Sequence, residues 1–184
     1  METKQHLFDA AFKMLEEKPY EEITVRDIVK AADVSTGTFY LYYKTKLDVY
    51  YETYVLADKY FDTTVRRAVS RCDTTEKKLH CFFKSYARYS SEITSLALTK
   101  LLYNSDNKCF MRNINGGMRD LLSEIISEGL ENGSVKSSES ASDITEFLMI
   151  AIRGRVYDWC IHDGGYSLAD LIEKDLSKLL EIYL

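Results

Sequence analysis

Apolar residues recur along the chain at helical spacing. Between residues 3 and 17, Leu7, Phe8, Ala11, Phe12 and Leu15 fall on one face of a first amphipathic helix. Lys18-Pro19 ends it, because the residue before a proline is pushed out of the α region. Thr24 sits where an N-cap belongs, with Asp27 three residues on to complete a capping box. The helix it opens turns Val25, Ile28, Val29 and Ala32 inward. Asp33 marks a sharp turn, where an Asp tolerates the left-handed conformation. Ser35 caps a second short helix to about Leu41, with Val34 and Phe39 facing the core. Two short helices joined by a tight turn and braced by a third make a helix-turn-helix unit.

The same periodicity predicts a long helix from Thr45 to about residue 70, then helices over about 75–91, 93–104 and 117–131. The last of these ends at Gly129 and Gly133, typical C-terminal residues. Helices over about 142–162 and 167–183 carry more apolar faces than one core requires. On the first, Phe147, Ile150, Gly154, Tyr157 and Ile161 form a second stripe. The final helix adds Leu168, Ile172, Leu176, Leu179 and Tyr183. Spare faces on adjacent helices point to an intermolecular four-helix bundle in a twofold homodimer, with these ten residues as its interface. A large monomeric core is the alternative.

Composition supports an all-α reading: 184 residues contain one proline and eight glycines, too few to punctuate many strands. No apolar run is long enough to span a bilayer, and the first residues lack a signal-peptide core, so the expected location is the cytoplasm with no membrane partner. Cys72, Cys81, Cys109 and Cys160 form no CxxC pair, and His6, His80 and His162 have no ligand spacing. No metal and no cofactor are expected. Nucleophile–base spacing and a phosphate-binding glycine loop are also missing, which argues against an enzyme.

The formal net charge of −5 excludes a protein that coats nucleic acid by bulk charge. Residues 1–46 hold seven Lys/Arg against eight Asp/Glu, a difference of −1, so any DNA contact there rests on placement. Thr24, Ser35 and Thr45 each start a helix, where free backbone amides suit phosphate oxygens. Lys46 adds a charge beside the third, and Gly37 would let the second approach a groove closely. Thr36, Thr38, Tyr40 and Leu41 are then placed to reach base edges, and Tyr42 and Lys44 to reach flanking phosphates. The opposing reading makes Ser35 and Thr45 plain caps and the tyrosines core; Phe39 and Tyr43 are assigned to the core outright.

The stretch TVRDIVKAADVSTGTFYLYYKTK, Thr24 to Lys46, resembles the DNA-binding signature of the tetracycline-repressor (TetR) family of bacterial transcriptional regulators. The matching residues are Thr24, Ile28, Ala32, Val34, Ser35, Gly37, Thr38, Phe39, Tyr40, Tyr43, Lys44 and Lys46. Val29 stands in place of the usual alanine, Asp33 of the turn glycine, Tyr42 of a frequent His, and Leu47 of a common acidic residue. The resemblance implies a fold of about nine helices, with a three-helix DNA-binding domain at 1–46 and a ligand-binding and dimerisation domain at 47–184. It also implies a dimer that represses from a palindromic double-stranded DNA operator and is released by a small-molecule inducer. Aromatic residues Phe82, Phe83, Tyr86, Tyr89, Tyr103, Phe110, Tyr157 and Trp159 are the candidates to line the inducer pocket. Arg153 and Arg155 could answer an acidic ligand, though a solvated or dimer-spanning role is the stronger expectation. Rival readings keep the fold but replace the inducer by a protein partner or cysteine oxidation, or make the C-terminal cavity catalytic.

Overall fold

The computed structural model describes residues 2–104 and 116–184. Within them every regular element is helical. Helix α1 (Glu2–Glu17) is followed by a 3₁₀ turn at Tyr20–Glu22, then α2 (Val25–Ala31) and α3 (Thr36–Tyr42). Helix α4 (Lys46–Tyr60) runs through a π-type turn at Phe61–Val65 into α5 (Arg66–Val69), and the three stack as one rod. Helix α6 (Thr75–Arg88) likewise ends in a π-type turn, Tyr89–Ile93. Then come α7 (Leu96–Leu102), α8 (Gly117–Glu131), α9 (Ala141–Ile161) and α10 (Leu168–Leu180). Counting the α4–α5 rod once, nine helical rods stand among the described residues.

The starts of these helices follow from their caps. Thr24 and Thr45 each accept from the amide three residues on while Asp27 and Asp48 reach back to the cap's own N–H, closing two capping boxes. Ser35, Thr74, Ser95, Ser140 and Ser167 cap α3, α6, α7, α9 and α10 through their hydroxyls. Asp33 closes the α2–α3 turn at φ 53°, the left-handed conformation expected of it.

Two apolar cores result. The first gathers Leu7, Ala11, Ile28, Phe39, Tyr43, Val49 and Tyr50 from α1 to α4, and it also takes Leu98 and Leu102 from α7. Tyr50 fastens α4 to α1 by donating to the Ala11 carbonyl at 3.1 Å. The second core runs from Ala57 and Phe61 through α6, α8, α9 and α10. Helix α7 thus belongs to both halves of the molecule.

Two expectations are corrected here. Gly129 is not the end of α8 but a buried position inside it, where a Cβ would meet Val135 Cγ2 at 2.5 Å and Thr75 Cγ2 at 2.8 Å. Gly133, at φ 76°, is the glycine whose backbone the turn after α8 needs. The apolar stripe of α10 is also not spare. Leu168, Ile172, Leu176 and Tyr183 are buried in the chain's own core against α6 and α9, and Leu179 is half-buried beside them. A helix at the edge of one core needs only one stripe, and this one is used internally.

Candidate DNA-reading face and effector cavity

Helix α3 buries Phe39 and turns the rest of its surface outward. Ser35, Thr36, Gly37, Tyr40, Tyr42 and Lys44 are exposed together, and Leu41 is 83% exposed. An apolar side chain so fully exposed at the end of a short helix has no role in the fold. Thr38 is half-buried, its hydroxyl 2.8 Å from that of Ser35, so it shares the cap with Ser35. Thr24 and Thr45 are exposed beside this face, and Arg26, one residue into α2, is exposed as well. The sequence reading passed over Arg26 because it falls outside the cap positions.

Lys46 departs from expectation. Its Nζ donates to the carbonyls of Tyr20 and Ile23, both at 2.6 Å, and lies 3.8 Å from the Tyr20 ring centroid. Partial burial pulls its pKa below the ordinary lysine value. The ammonium therefore pins the 20–23 segment to the start of α4, and Lys44 and Arg26 are exposed cations at this face. Replacing Lys46 by methionine is expected to destabilise the fold by about 1–2 kcal/mol, since two partly buried carbonyls lose a charged donor. DNA binding measured well below the melting temperature should keep its dependence on salt. A slope reduced by about one would restore a phosphate contact to Lys46.

On the other side of α4 lies a cavity of about 270 Å³. Tyr51, Thr53, Tyr54, Ala57 and Asp58 of α4 form one wall, and Tyr86, Tyr89 and Ser90 the next. Thr94, Thr99, Leu102 and Tyr103 around α7, Met118 of α8 and Arg153 of α9 complete it. Of the aromatic candidates, Tyr86, Tyr89 and Tyr103 line this cavity, and the Tyr86 and Tyr103 hydroxyls bond each other at 2.6 Å. Burial pushes the Tyr54, Tyr89 and Tyr103 hydroxyls well above the usual phenol range, so they stay protonated. Asp58 is raised too, chiefly by burial, although the Met118 amide donates to it at 3.4 Å.

The other aromatic candidates lie elsewhere. Phe82 and Phe83 are wholly buried and pack edge to face with each other, Phe82 also lying 5.0 Å from Phe61. They lie about one turn before Tyr86 on α6, in the core around Phe61 rather than at the cavity wall. Trp159 is core as well, its indole N–H donating to Tyr166 O at 3.0 Å. Tyr157 points to the outer face of α9, and Phe110 lies outside the described residues. Arg155 pairs with Asp175 at 2.6 Å and with Asp158 at 3.1 Å, whereas Arg153 turns inward. Periodicity could not separate these two arginines, because α9 is packed on several sides.

That outer face of α9 carries Phe147, Ile150, Gly154, Tyr157 and Ile161, all exposed; Ile150 is 57% and Ile161 59% exposed. At Gly154 an added Cβ would meet nothing within 4 Å, so the stripe has a flat centre. Ile182, which the sequence reading did not single out, is exposed at the chain's end. Cys72 and Cys81, nine positions apart, are near enough to influence each other, and burial pushes the Cys81 thiol up. A raised thiol is a poor source of thiolate, which weighs against oxidation as the control.

A family model described as bacterial regulatory proteins, tetR family, matches residues 7–52, the span from α1 into α4 that builds the exposed α3 face. Residues 7–52 carry the DNA-binding domain of the TetR family of transcriptional regulators. The chain is 25% identical over 178 residues to the fatty acid metabolism regulator protein of Bacillus subtilis, covering 95% of its own length and 92% of that relative. Its fold matches that of FadR from Bacillus subtilis in complex with stearoyl-CoA, with a TM-score of 0.79 at 24% identity over 95% and 96% of the two chains. It also matches Thermus thermophilus FadR, a repressor in complex with lauroyl-CoA, with a TM-score of 0.75 at 26% identity over 97% and 93%. Among the described residues no helix is long and apolar enough to cross a membrane.

Proposed function

We propose that the protein is a dimeric repressor that reads a palindromic operator through α3 and leaves it when a small molecule fills the cavity beside α4. Residues 1–46 supply the DNA-reading unit and 47–184 the effector and dimer unit. The observation that carries this reading is the outward face of α3, above all the exposed Leu41 next to Tyr40, Gly37 and Thr36. Leu41 and Tyr40 suit thymine methyls and base edges, while Ser35, Tyr42, Lys44, Thr24 and Thr45 suit phosphates. Arg26 joins the phosphate set. An acidic chain can bind a polyanion in this way because contact depends on local placement.

The outer stripe of α9 supplies the second half of the reading. Two copies joined there hold two α3 helices, and an operator with twofold symmetry fits them. A ligand in the cavity then lowers DNA affinity by favouring a helix spacing that the operator does not fit. The stearoyl-CoA and lauroyl-CoA held by the two FadR structures make acyl compounds the first class of effector to try.

Selection from a random pool of duplexes tests the reading directly. An enriched inverted repeat is expected, its half-sites about one helical turn apart, roughly 10 base pairs between centres. No enriched sequence would overturn specific DNA reading, and a single unrepeated site would overturn the dimer.

A further inference from the structure

The cavity is rich in hydroxyls, but most of their hydrogen bonds are spent inside the fold. Tyr89 donates to the Thr53 carbonyl at 2.9 Å. Thr94 and Thr99 donate to the carbonyls of Tyr89 and Ser90 in the π-type turn, at 2.8 and 2.9 Å. Asp58 is turned toward the start of α8. Of the polar groups left over on the cavity wall, two stand out. One is the Thr53 hydroxyl, buried with no hydrogen-bond partner. The other is the Arg153 guanidinium, on a residue only 8% exposed. None of the ion pairs or hydrogen bonds of the described residues involves it, whereas Arg155, two residues on, has both its acidic partners. Its charge is felt at the Tyr54 and Tyr103 hydroxyls, which places it among the cavity's phenols.

An arginine stays charged under all ordinary conditions, and a buried cation with no counter-ion is costly to the fold. A ligand anion removes that cost and gains a bidentate, charge-assisted pair. We propose that the cavity is built for a compact monocarboxylic acid with an aromatic or short aliphatic body. Its carboxylate pairs with Arg153, the Thr53 hydroxyl is a donor within the same wall, and its body lies among the tyrosine rings, Leu102 and Met118. This rests on the reading of the cavity as the effector site, and it narrows that site to a class of ligand. The size agrees: about 270 Å³ is near the small end of the roughly 300–1,000 Å³ of small-molecule sites. An acyl-CoA buries a neutral chain and keeps its charges on the nucleotide, which leaves Arg153 unanswered.

The test is calorimetric titration of the full chain with phenylacetate and octanoate, each against its primary amide, and with octanoyl-CoA. The acids are expected to bind at least about tenfold more tightly than the amides, a difference of roughly 1.4 kcal/mol. Arg153→Met should abolish that preference without lowering the melting temperature of the free protein, and Arg153→Lys should restore part of it. Acids that do not bind, or bind no better than amides, overturn the proposal without any variant. So does octanoyl-CoA binding that exceeds the acids and is indifferent to Arg153→Met. Release of selected operator DNA is scored separately. An acid that binds through Arg153 yet leaves DNA bound sustains the anion site and defeats the effector reading; release by octanoyl-CoA alone does the reverse.

Discussion

Ile150→Asp is expected to give a folded monomer with operator affinity reduced by about 100-fold or more, the scale on which two linked binding modules outperform one. Ile150 is 57% exposed on the α9 stripe, one turn before Gly154, so an aspartate there stays solvated in the single chain and changes its stability by no more than about 0.5 kcal/mol. In a twofold interface the same carboxylate is buried, and it occurs twice, near its own copy. With no side chain at Gly154, a second copy docked on this stripe would come close and leave a charge beside it nowhere to move. Sedimentation at micromolar concentration and a circular-dichroism melt check the two halves of the expectation. Tyr157→Glu, on the same stripe, should act alike. A dimer that survives both substitutions removes this face as the interface.

The DNA-reading half was legible because its signals are local. Capping residues act within three positions of themselves, and Thr24, Ser35 and Thr45 start helices exactly where their spacing to Asp27, Thr38 and Asp48 requires. Asp33 was readable for the same reason, since the turn's backbone conformation depends on the residue that occupies it. Lys46 was not, because its partners Tyr20 and Ile23 are more than twenty positions away and are backbone carbonyls, which no side-chain pattern announces.

The cavity was half legible. A stripe of aromatics on α6 tells that one face is buried, but not whether it meets another helix or an open space. Phe82 and Phe83 met α10 and the α4–α5 rod, while Tyr86 and Tyr89, further along the same helix, met the cavity. The surplus apolar faces of α9 and α10 divided in the same manner: α10 was used within the chain and α9 kept an outer stripe. Periodicity counts faces, and tertiary packing assigns them.

Leu102→Ala is the expected counterpart on the signalling side. Leu102 is buried in the α1–α4 core and also lines the cavity, whereas Leu98, one turn earlier on α7, is buried in that core and does not line the cavity. Truncating either to alanine should cost about 2–5 kcal/mol, the usual range for a buried leucine. The two losses should nonetheless spread differently. Amide hydrogen exchange in Leu98→Ala is expected to rise in α1 and the start of α4 alone. In Leu102→Ala it should rise there and also in the middle of α4 and the π-type turn at Tyr89–Ile93, because the cavity wall loses a contact as well. Such a pattern makes α7 the element through which occupancy of the cavity is felt at the DNA-reading face. Identical exchange patterns for the two variants would mean that α7 only fills space between the halves, leaving α4 to carry the coupling.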